Sequence, residues 1–128
     1  MSRSVLLQLA RDSIQEVLEA QRTIDKSALL REHPLLNEKI QTTVNIYVED
    51  ELRGSYSSKD ASKSLLEDII YNAKKSAFED KNFSPLTTSE YLNSEIELQL
   101  STPEGIISER DPSILKKHAK KQKKENPY

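Results

Sequence analysis

The sequence predicts an α+β fold, with a small antiparallel sheet packed against two main helices. Three observations carry this. Residues 4–20 and 64–78 repeat apolar side chains at three- and four-residue spacing, the period of a helix with one buried face. Residues 43–48 and 95–101 alternate apolar with polar side chains, the period of a strand buried on one side, as in antiparallel sheets. Gly54 and Gly105 are the only glycines, which leaves no glycine-rich phosphate loop and argues against a doubly wound nucleotide-binding fold.

Each element can be justified in turn. Ser4 is placed to cap the first helix. Its apolar face is Leu6, Leu9, Ala10, Ile14, Val17 and Leu18, and Arg3, Arg11, Gln15, Glu16 and Glu19 take the other side. Leu29 and Leu30 suit a short helical turn that Pro34 ends, because the residue before proline is pushed out of the helical region. Leu35 and Leu36 are expected to anchor this linker to the core. Residues 42–57 form a hairpin. Val44, Ile46 and Val48 alternate with Thr43, Asn45 and Tyr47, and Glu49-Asp50-Glu51 makes a turn without the Asn-Gly signature of a tight hairpin. In its second strand, period 2 sets Leu52, Gly54 and Tyr56 on one side and Arg53, Ser55 and Ser57 on the other.

Ser64 and Glu67 fit a capping box that opens the second main helix. Leu65, Leu66, Ile69, Ile70, Ala73 and Ala77 form its apolar stripe, and it ends near residue 78. The loop 79–86 closes on Phe83 and Pro85. Thr87 to Glu90 form a second capping box, opening a short turn with Tyr91 and Leu92. In the last strand Ile96, Leu98 and Leu100 alternate with Glu95, Glu97 and Gln99 on a wet face, and Pro103 stops it.

Composition bounds the function. A chain of 128 residues is one domain of ordinary size. With no cysteine, disulfide scaffolds, thiolate zinc sites and cysteine nucleophiles are excluded. The two histidines, His33 and His118, are too far apart in sequence to suggest a metal site, and no cofactor is expected. No apolar run suits a signal peptide or a membrane span, so the cytoplasm is the expected compartment. Charge is unevenly spread. Residues 1–115 hold 13 Lys and Arg against 20 Asp and Glu, a net of −7, whereas the last thirteen residues hold six Lys against one Glu, a net of +5. The chain therefore divides into an α+β domain over 1–112 and a basic tail over 113–128. The tail has no apolar face and is expected to be disordered. Its lysines, Lys116, Lys117, Lys120, Lys121, Lys123 and Lys124, are the candidates for a weak, sequence-blind nucleic-acid contact.

The order of motifs resembles the AMMECR-type domain family. Glu51-Leu52-Arg53-Gly54-Ser55-Tyr56-Ser57 resembles that family's E-L-R-G-C-I-G signature. Asn72-Ala73 and Ala77-Phe78 resemble the family's helix, and Asp80, Phe83, Pro85, Thr88, Glu90 and Tyr91 the stretch after it. Ile96 to Ser101 followed by Pro103 resembles its I-E-V-S-V-L-S-P strand. The resemblance implies an antiparallel α+β fold with an Arg-Gly loop lining a cleft. It also implies a Memo-like or radical SAM protein as partner, because such domains are often encoded with or fused to these. Ser55 stands where the family has cysteine, Tyr56 and Ser57 where it has Ile and Gly, and Asn82 where it has Arg. The family usually continues for several dozen residues beyond this point, so the resemblance is to a divergent, C-terminally shortened member. A second copy could complete its sheet edge.

The candidate binding residues are thus Arg53, Gly54, Ser55, Tyr56 and Ser57, with Asn72 expected to hydrogen-bond the Arg53 loop. Arg53 beside two hydroxyls suits a carboxylate or phosphate. The competing reading is a cross-strand ion pair from Arg53 to Glu95 or Glu97. Gly54 serves either close backbone approach to a ligand or a bulge or crowded packing contact. The leading functional expectation is a non-catalytic binding or accessory protein acting through this loop. The alternatives are a nucleic-acid accessory protein using the lysine tail, and a degenerate enzyme with an anion-binding Arg53 cleft.

Overall fold

The structure, a computed structural model, describes residues 4–111. Helix α1 spans Val5–Glu19 and α2 spans Lys26–Glu32, followed by a 3-10 turn over Pro34–Asn37. The hairpin β1 (Gln41–Val48) and β2 (Glu51–Ser57) leads into α3 (Leu65–Phe78). A short α4 (Thr88–Leu92) precedes a second hairpin, β3 (Ser94–Thr102) and β4 (Gly105–Arg110). The four strands pair antiparallel in the order β2-β1-β3-β4. The architecture is the expected one: α1 and α3 pack on each other and lie on one face of the sheet, while the opposite face bears no helix among the described residues.

The core lies between the layers. Leu65, Leu66, Ile69, Ile70, Ala73 and Ala77 of α3 are all buried, as the stripe predicts, against Val44 and Ile46 of β1 and Ile96, Leu98 and Leu100 of β3. On α1 the buried residues run from Leu7 to Ile14, while Val17 is exposed. Only the first turns of this helix lie against the sheet. Leu36 is buried and Leu35 is not, so one leucine anchors the linker. Leu86, rather than Phe83 or Pro85, fixes the 79–87 loop to the core.

Several local expectations are corrected. The first hairpin turn is the tight two-residue kind: Glu49 and Asp50 have φ of 54° and 66°, the conformation that Asn-Gly normally supplies. Ser64 caps α3, but the Glu67 carboxylate reaches out to Lys26 instead of closing a capping box. At Thr87 and Glu90 both halves of the box are present. Pro103 stops β3 at Thr102, as expected, but the chain turns there and returns as β4, a strand hidden in the sequence because Ile106 and Ile107 are adjacent instead of alternating. Arg11, assigned to the wet side of α1, is buried. It pairs with Asp111, lies over the Tyr91 ring and donates to the Ser94 and Tyr91 carbonyls. Glu95 is buried as well, because Arg110 of β4 covers it. Among the described residues no helix is long and apolar enough to cross a membrane.

Candidate functional site

The Arg53–Ser57 segment is built on a β-bulge. Ile46 pairs with Gly54 and Tyr47 pairs with Leu52, so Arg53 is the extra residue on β2. One extra residue reverses the alternation. Leu52 therefore shares the helix-free face with Ser55 and Ser57, contrary to the period-2 reading, and is half-exposed. Arg53 turns toward the loop after α3. Its Nε and Nη2 donate to the two oxygens of Glu90 at 3.0 and 2.9 Å, and its guanidinium lies over the Phe83 ring, 5.4 Å from the centroid. The cross-strand ion pair expected with Glu95 or Glu97 does not form, since Glu95 accepts from Arg110 and Glu97 accepts from Asn45 and Tyr47, and Arg53 pairs instead with Glu90 of α4. The Arg53 fork, seconded by the Thr87 amide, holds the Glu90 carboxyl below the usual 4.5.

Gly54 answers a packing demand. A Cβ there would lie 2.1 Å from the backbone oxygen of Ser76 on α3. That carbonyl is among the last four of the helix, with no donor inside it. The amide of Ser55 donates to Asp80 at 2.9 Å, which ties the outer edge of β2 to the loop after α3. The Ser55 hydroxyl donates to Asn45 Oδ1 at 2.6 Å, and Asn45 Nδ2 donates to Glu97 at 2.9 Å. An amide oxygen does not take a proton, so this relay orients the hydroxyl without activating it as a nucleophile. Burial, with the Glu97 charge, pushes the Tyr47 phenol above its usual 10.0, leaving it a donor at neutral pH. The Ser57 hydroxyl lies 2.7 Å from that of Thr43. Tyr56 faces the helix layer, edge-on to Tyr71 at 6.0 Å between centroids.

Asn72 does not hold the Arg53 loop. It is fully buried, and its Nδ2 donates to the Thr42 carbonyl at 3.1 Å and the Thr42 hydroxyl at 2.8 Å. The reason is the path of α3 across the hairpin: Ser76 meets β2, while Asn72, one turn earlier, meets β1. Beside it, Asp68 Oδ2 accepts from the Thr42 amide, the Thr42 hydroxyl and Ser58, stapling both hairpin strands to the helix. The sequence signal for this staple is Asp68 four residues before Asn72, two polar residues set into an otherwise apolar stripe.

The four blocks that carry the family resemblance thus converge. Arg53 meets Phe83 and Glu90, Ser55 meets Asp80 and, through Asn45, Glu97, and Gly54 meets the helix of Asn72 and Ala77. Glu90, read in the sequence as a cap and as part of the family's motif but not as a partner of Arg53, is its anchor. The candidate lysines from Lys116 to Lys124 lie outside the described residues.

The sequence model of the AMMECR1 family matches residues 7–120. No curated protein matches the chain. Among solved structures the chain is similar to the uncharacterised protein PH0010 from Pyrococcus horikoshii, with 29% identity and a TM-score of 0.68. The match covers 77% of this chain and 50% of that one, so this chain spans about half the length of that relative.

Proposed function

The chain belongs to the AMMECR1 family, and for this member we propose a binding domain with no chemistry of its own, which engages a protein partner through the Arg53–Ser57 segment and the loops tied to it. One observation carries the reading. Leu52, Phe83 and Leu92 are 46%, 37% and 65% exposed, and they sit on β2, the 79–87 loop and α4, which Arg53 links by its fork to Glu90 and its place over the Phe83 ring. Exposed apolar and aromatic side chains around an ordered arginine are the composition of a protein-binding patch. Two contacts argue against catalysis at the same place. The Ser55 proton is directed at an amide oxygen, and an anionic substrate at Arg53 would have to displace Glu90. The family resemblance makes a Memo-like or radical SAM protein the partner to look for.

A second reading has its own observation. The Lys63 and Lys75 ammonium groups lie 4.4 and 5.4 Å from the Tyr71 ring centroid, with Tyr56 alongside, a combination of cation and ring that suits single-stranded nucleic acid. One experiment separates the two: capture from native cells on the tagged chain, with and without nuclease, for wild type, Leu92→Asp and Arg53→Ala. The protein-partner reading expects a partner that survives nuclease and is lost with either variant. Retention by both variants overturns it, and material released by nuclease favours the second reading.

A further inference from the structure

We propose that β4 is a self-association edge, at which two copies of the chain pair their β4 strands antiparallel about a two-fold axis through Ile107. The two ends of the sheet are built differently. The β2 edge is blunted in the ways that prevent strand addition: a bulge at Arg53, the Ser55 amide taken by Asp80, and the 79–87 loop held alongside. At β4 the pairing with β3 runs unbroken from Glu97 with Arg110 to Thr102 with Gly105, and no proline interrupts 105–110. The strand's two charges, Glu109 and Arg110, are gathered at one end, where Ser4, Glu95 and Asp50 hold them. That leaves Gly105 to Ser108 uncharged, with Ile106 69% and Ile107 60% exposed. Cross-strand partners share a face, so Ile106 lies with Ser101 on the helix-free side and Ile107 with Leu100 on the helix side. Apolar surface therefore borders the edge above and below.

The occupant follows from symmetry and charge. In an antiparallel pair, two residues face each other only if both turn their amides toward the partner or both away. Under two-fold symmetry this restricts the axis to passing through a residue, not between two. An axis through Ser108 sets Ile107 against Glu109 and Ile106 against Arg110, apolar against charge. An axis through Ile106 sets Glu109 against Pro103. An axis through Ile107 sets Ile107 against itself, Ile106 against Ser108, Gly105 against Glu109, and Glu104 against Arg110. Opposite charges then meet twice, and the bulkier Glu109 faces a residue without a side chain. The formal net charge of −2 imposes little repulsion between copies.

The absence of cysteine makes the register directly readable. In the full chain, Ile107→Cys alone is expected to give a covalent dimer with a short thiol cross-linker. Ile106→Cys and Ser108→Cys are expected to cross-link efficiently only when mixed, because 106 faces 108 of the other copy. By analytical ultracentrifugation the wild type is expected to dimerise with rising concentration, and Ile107→Lys to stay monomeric with an unchanged circular dichroism spectrum. A wild type that stays monomeric overturns the proposal, whether the edge is open or covered by the chain's own residues 112–128. So does a dimer that persists in Ile107→Lys, or self-cross-linking at 106 or 108 that exceeds that at 107.

Discussion

Replacing Gly54 with alanine tests what this glycine is for. The added Cβ would sit 2.1 Å from the Ser76 carbonyl oxygen, nearly an ångström inside the 3.0 Å that real Cβ contacts respect. No side chain can swing away, because the obstructing atom is backbone. Either α3 lifts or β2 yields. Six buried apolar residues hold α3 to the core, so the edge strand must move. That movement strains the Ser55–Asp80 bond and the Arg53–Glu90 fork. Overpacking costs about 1–3 kcal/mol, and each strained bond adds about 1 kcal/mol. The expected loss is about 3 kcal/mol, or a fall in Tm on the order of 10–20 °C for a domain of this size. Urea and thermal melts followed by circular dichroism measure it. Adding Ser76→Gly should not rescue stability, because the offending oxygen remains. Stability within about 0.5 kcal/mol of wild type, the range of ordinary surface substitutions, would refute the packing argument. Such a result combined with lost partner capture would show that Gly54 is there for a ligand's approach.

Two further predictions rest on the same construction. Glu90, held below 4.5 by Arg53 and the Thr87 amide, gives stability that is fully present above its unfolded pKa and lost as pH falls through the folded value. The stability gap between wild type and Glu90→Gln, about 1 kcal/mol at pH 7, should therefore close below about pH 4.5, and a gap that widens in acid would contradict the assignment. Asp68→Ala leaves two donors of Thr42 and one of Ser58 without their carboxylate acceptor, and should cost about 3 kcal/mol or more in denaturant melts. A loss under 1 kcal/mol would mean that the staple contributes little.

What the sequence by itself determined is whatever repeats with a period. The α3 stripe, the buried faces of β1 and β3, the caps at Ser4 and Thr87 and the one-sided sheet are all local, because each depends on spacing along one segment. The α+β class follows from them, and the order of motifs was enough to resemble the family. Tertiary structure decided whatever depends on which segments meet. The hairpin register introduces the bulge that sends Arg53 to Glu90, 37 residues away, and turns Leu52 outward. Gly54 was visible as a glycine, but the carbonyl that requires it belongs to a helix that begins eleven residues later. Arg11 looked like a surface residue on α1 until Asp111 reached it from the far end of the sheet. β4 carries no period because both its faces border solvent, and only its pairing with β3 makes it a strand. Burial on one face imprints a period on the sequence. A contact between distant segments imprints none, because either partner alone has the composition of an ordinary surface.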